Sequence, residues 1–203
     1  MEKCRNVKNL KGREDLASRD VLELNFLNSE ALNILNFKLL KLKTFNLLNS
    51  EALNSKLLPF MDDIFYMRKA LEQAKIAFEK DEVPIGAVVV SNGQIIGRAC
   101  NLTETLNDVT AHAEMQAITA AAGYIGGKYL TDCTLYVTVE PCPMCAGALA
   151  WAQISRVVYG AVDEKRGSHH FEGIYHPKTV VVGGVLADEC AALVKEFFAK
   201  KRR

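Results

Sequence analysis

The chain has 203 residues, 49% of them hydrophobic, and its 25 Lys/Arg against 24 Asp/Glu leave a net charge of +1. That length suffices for one domain with a substantial core, while near-neutrality excludes binding nucleic acid through a global basic field and leaves only local patches. No apolar run approaches the roughly 18 residues of a membrane span, and the N-terminus lacks a signal-peptide core, so the expected location is the cytoplasm.

The first sixty residues differ in character from the rest. They carry ten Lys/Arg and seven Asp/Glu and are dominated by Leu, Asn, Lys and Ser. Asn25–Asn33 recurs almost unchanged as Asn46–Asn54, an offset of 21 residues. Two copies are too few for a solenoid. The apolar residues can form amphipathic helices that pack on a partner, or the segment lies outside the working protein and Met61 is the true start. The second is the expectation, because low-complexity repeats do not make a core.

From residue 61 the pattern becomes regular. Asp62 or Asp63 is expected to cap a helix running to about Lys80, with Ile64, Met67, Leu71, Ala74 and Phe78 as its apolar stripe. Val83–Val90 reads as a strand, Asn92-Gly93 as a hairpin turn, and Gln94–Cys100 as the returning strand. A loop leads to a helix capped by Thr110, containing His112 and Glu114 and ending at Gly123. Thr134–Val139 is a third strand feeding a helix that starts at Pro141 and ends near Gln153. Arg156–Val162, a polar loop, Thr179–Val182 and a helix over Asp188–Lys200 complete the order αββαβαβα. A strand, a crossover helix and a strand favour parallel pairing. The predicted fold is a three-layer α/β/α sandwich around a mixed five-stranded sheet.

Two short runs carry the chemistry: His112-Ala113-Glu114 and Pro141-Cys142-Pro143-Met144-Cys145. One imidazole and two thiols can hold zinc and leave its fourth position open for water. Cys142 and Cys145, spaced i, i+3, share a helical face, in a first turn whose dipole favours thiolate. His112 and Glu114, spaced i, i+2, cannot share a face, which makes one a ligand and the other a neighbouring proton carrier. A structural zinc module would need a fourth protein ligand and no waiting carboxylate. Cys100, Cys133 and Cys190 sit beside apolar residues and read as small buried side chains, and with Cys4 they show no disulfide framework. His169, His170 and His176 show no convergent ligand pattern.

Residues 61–203 resemble the bacterial tRNA adenosine deaminases of the cytidine-deaminase-like superfamily. The likeness rests on Asp81–Val88, Thr110–Glu114, Leu135–Cys142, Met144–Ala148 and Gly184–Leu193. H-A-E with P-C-x-x-C specifies a zinc deaminase, and free cytidine deaminases usually have Cys where this chain has His112. The resemblance implies deamination of the wobble adenosine in a tRNA anticodon stem-loop, one Zn2+ per subunit on His112, Cys142 and Cys145, and Glu114 as the catalytic acid–base. It further implies Asn101 as a contact to nucleobase or ribose, and a homodimer. The loop Asp163–Pro177 departs from the family, with Arg166-Gly167-Ser168-His169-His170-Phe171 in place of an Ala-Gly-Ser run. Residues 1–60 match nothing in it. The alternative is a related zinc deaminase acting on guanine, cytosine or dCMP.

Overall fold

The computed structural model describes residues 51–202, with side-chain surroundings from residue 61. The expectations for Cys4 and the first copy of the repeat therefore lie outside the described residues. Residues from Pro59 onward form one compact unit.

Helix α1 spans Glu51–Glu79, so neither Asp62 nor Asp63 caps it. Asp63 is instead a buried anchor. Its carboxylate accepts from both Arg156 Nη atoms (2.6 and 2.7 Å) and from the Tyr136 hydroxyl (2.9 Å). The chain then folds into β1 (Gly86–Ser91) and β2 (Gln94–Cys100), starting later than the run from Val83 suggested. The hairpin turn is as expected: Asn92 and Gly93 both have positive φ (47° and 74°), the twist that two-residue loops need. Helix α2 is Ala113–Ile125, β3 Cys133–Val139, α3 Pro143–Trp151, β4 Arg156–Ala161, β5 Val180–Val182 and α4 Ala187–Lys201. Helix α2 passes through Gly123 and ends at Gly126, whose φ of 70° supplies the left-handed C-cap. An interior glycine costs a helix only about 1 kcal/mol, so it did not stop there.

The five-stranded sheet has the order β2-β1-β3-β4-β5. β1 runs antiparallel to β2 and β3, whereas β3, β4 and β5 are parallel. The period-2 alternation of the strands divides the core. Ala87, Val89, Leu135, Val137 and Val157 face α2 and α3, packing on Ala113, Ala117, Ala121 and Leu149. Val88, Val90, Tyr136 and Val158 face the other way, onto Met67, Ala70 and Leu71 of α1 and Cys190 of α4. The α/β/α sandwich is therefore present as expected. α1 lies so close to β1 that a Cβ on Gly86 would fall 2.1 Å from the Ala70 carbonyl oxygen.

Candidate metal centre and active site

The two ligand-bearing segments meet at helix N-termini. His112 is the N-cap of α2 and Cys142 the N-cap of α3, both in extended conformation, and neither side chain caps its own helix. Each is thus available to a shared centre. Thr110 is not the cap: its hydroxyl and its N–H both go to Asp108 Oδ1, at 2.7 and 2.8 Å. Nor does Pro141 open α3. Pro143 takes the first helical position, which moves Cys142 outside the helix and leaves Cys145 within its first turn.

His112 Nδ1 lies 3.6 Å from Cys142 Sγ and 3.5 Å from Cys145 Sγ. The three ligand atoms lie within 4.8 Å of one another, the only such group of three or more among the described residues. Zinc bonds of about 2.3 Å to sulfur and about 2.0–2.1 Å to nitrogen, at a tetrahedral angle, require an N···S separation of about 3.6 Å. The donors already stand at that spacing. Their protonation fits as well. The Cys142 thiol is pulled down to about 4, first by the hydrogen bond from Cys145 and then by His112. Cys145 moves far in the other direction, through that same bond and its burial. A bound dication would favour both sulfurs as thiolates, the ligand form.

Glu114 occupies the first turn of α2 and is 3% exposed. Burial pushes its carboxyl up to about 7. Its Oε2 is the one buried side-chain nitrogen or oxygen without a hydrogen-bond partner among the described residues. Leaving such an atom unpaired costs about 1–3 kcal/mol.

Asn101 directly follows β2 and is 3% exposed. Leu102 N–H bonds the Ala111 carbonyl (3.0 Å), which sets Asn101 beside the stretch of chain that enters His112. Its Nδ2 donates to Glu82 Oε2 and to Thr103 Oγ1, both at 3.1 Å.

Glu140, two residues before Cys142, was not singled out in the sequence. It is 4% exposed and ties the Asp163–Phe171 loop to the cysteine segment. Its carboxylate accepts from the His169 backbone N–H (2.8 Å), the Ser168 hydroxyl (3.1 Å) and Asp163 N–H (3.3 Å). His169 Nδ1 stands 2.9 Å from Oε2. A side chain at Gly167 would place its Cβ 2.3 Å from that oxygen. His169 therefore answers a buried acid. The available signal was a lone Glu between a buried strand and a metal ligand.

The MafB19-like deaminase family matches residues 61–202 of this chain. The chain belongs to that family. This deaminase is 46% identical over 147 residues to the tRNA-specific adenosine deaminase of Bacillus subtilis (strain 168), covering 70% of this chain and 91% of that protein. A solved structure from a study of A-to-I editing by tRNA:A34 deaminases matches at 43% identity and a TM-score of 0.60, over 64% of this chain and 98% of that one. The guanine deaminase of Nitrosomonas europaea matches at 25% identity and a TM-score of 0.61, over 66% of this chain and 83% of that one.

Proposed function

We propose that this deaminase converts adenosine to inosine at the wobble position of a tRNA anticodon. The observation that carries the chemistry is the partnerless Oε2 of buried Glu114 beside the His112, Cys142, Cys145 cluster. The support for the substrate is the likeness to tRNA-specific adenosine deaminases, at 46% identity, against 25% for the guanine deaminase. His112, Cys142 and Cys145 hold one zinc ion. When bound, zinc acts as a Lewis acid that makes a proton easier to take from water. Glu114 takes that proton and delivers it to the ring nitrogen beside C6 of adenine. It then takes the remaining proton from the hydroxyl added at C6 and passes it to the departing amine. A C6–O bond replaces the C6–N bond, and ammonia leaves. Asn101 contacts the nucleobase or ribose.

The enzyme acts as a homodimer in the cytoplasm. Support for self-association comes from exposed apolar side chains, Trp151 at 85% and Val109 at 84%. No described helix is long and apolar enough to cross a membrane. Residues 1–60 are dispensable, as their composition suggests. The test of the function is incubation of the zinc-loaded chain with an adenosine-containing anticodon stem-loop, reading inosine by sequencing. An unchanged stem-loop, with guanine, cytosine or dCMP consumed instead, would select the alternative reading.

A further inference from the structure

A fully buried acid stands behind Asn101. Glu82 lies between α1 and β1 and is 0% exposed. Its Oε2 accepts from Asn101 Nδ2 (3.1 Å), the Thr103 hydroxyl (3.3 Å) and Glu104 N–H (3.2 Å), and its Oε1 accepts from Thr105 N–H (2.7 Å). Three of the partners are N–H donors and the fourth is a hydroxyl free to donate, a set that suits an ionised carboxylate. Burial pushes the Glu82 carboxyl up, but hydrogen bonds from Thr105, Glu104 and Thr103 outweigh it and hold it below the usual range.

The consequence falls on Asn101. An acceptor-only partner takes the NH2 end of the amide, and the second N–H goes to Thr103 Oγ1. Among the described residues no donor is bonded to Asn101 Oδ1, while both N–H groups of its amide are taken. A free asparagine could turn either end towards a ligand; this one presents only an acceptor.

We propose that Glu82 is a positioning residue for substrate recognition: it fixes the Asn101 amide so that Oδ1 meets a donor of the nucleoside, a base N–H or a ribose O–H. The proposal rests on the reading of Asn101 as a substrate-binding residue. Pre-set orientation of this kind lowers the entropy lost on binding.

The test is a double-mutant cycle on the zinc-loaded full chain with Glu82→Gln, Asn101→Ala and the pair. The amide introduced by Glu82→Gln must aim its NH2 either at Thr105 N–H or at the other three donors, so at least one pairing fails. The expected loss in kcat/KM is roughly tenfold for Glu82→Gln and roughly 10- to 100-fold for Asn101→Ala, mainly through KM, with no further loss in the pair. A purely structural role for Glu82 predicts additive losses and a kcat effect. A second readout needs no turnover. The Asn101 side-chain NH2 resonances, assigned by their absence in Asn101→Ala, exchange slowly with water in the parent and at least about tenfold faster in Glu82→Gln. The cycle is run on whichever substrate the parent consumes, so failure on the stem-loop refutes the tRNA reading alone. Additive losses, unchanged NH2 exchange, or an Asn101→Ala variant with full activity would overturn the proposal.

Discussion

The anchor between α1 and β4 gives a stability prediction with a magnitude that can be worked out. Asp63→Ala removes three hydrogen bonds at once: two from Arg156 at 2.6 and 2.7 Å and one from Tyr136 at 2.9 Å. The losses are unequal. Tyr136 is 4% exposed, so its hydroxyl cannot recover its bond from solvent, at about 1–3 kcal/mol. The Arg156 side chain is 27% exposed, so part of its charge rehydrates, and the full penalty of about 3–5 kcal/mol for breaking a buried pair does not apply. A net loss of about 3 kcal/mol follows, equivalent to roughly 10 °C in Tm for a domain of this size. Urea and thermal unfolding of Asp63→Ala, Arg156→Met and the pair measure it. The pair should be less destabilised than the sum of the single changes, because Arg156→Met removes the cation that Asp63→Ala alone would leave unpaired. A loss below about 1 kcal/mol, or full additivity, would refute the view that this pair fastens α1 to the sheet.

Three further outcomes are expected. Glu114→Gln should retain its metal and its fold while kcat falls about 100- to 10,000-fold; a zinc-loaded variant with near-normal turnover would move the proton shuttle elsewhere. Metal analysis should give one zinc per chain, lost on Cys142→Ala or Cys145→Ala, with three protein ligands by X-ray absorption; a fourth protein ligand would mark a structural centre. A chain starting at Met61 should melt and deaminate like the full one, since Asp63, the sheet and every proposed site residue lie beyond that point; a fall of several degrees or a large drop in activity would make the extension part of the enzyme.

The fold was legible because its signals are local. Asn92-Gly93 names its own turn, and the strand–helix–strand run from Cys133 to Ala161 forces parallel pairing of β3 and β4. The meeting of His112, Cys142 and Cys145 was legible because H-x-E and P-C-x-x-C have the spacing a zinc site would need. What escaped was set by tertiary partners. Asp63 reads as a cap until Arg156 and Tyr136, far away in sequence, claim it. Thr110 and Pro141 are good helix starters, but Asp108 claims Thr110 and Pro143 takes the first helical position, so both helices start later. Glu82 and Glu140 look like ordinary acids in sequence. Only the fold gathers four donors around one and brings His169 back to the other.

The central claim is the reaction and its substrate. Its most direct measurement is kcat/KM for ammonia release by the zinc-loaded chain, side by side on a wobble-adenosine stem-loop and on free guanine, cytosine, cytidine and dCMP, with Glu114→Gln as the blank. The account predicts inosine and ammonia in equal amounts from the stem-loop, negligible turnover of the free compounds, and no signal above background in the blank. Release of ammonia from a free base or nucleotide, with the stem-loop left as adenosine, would contradict it.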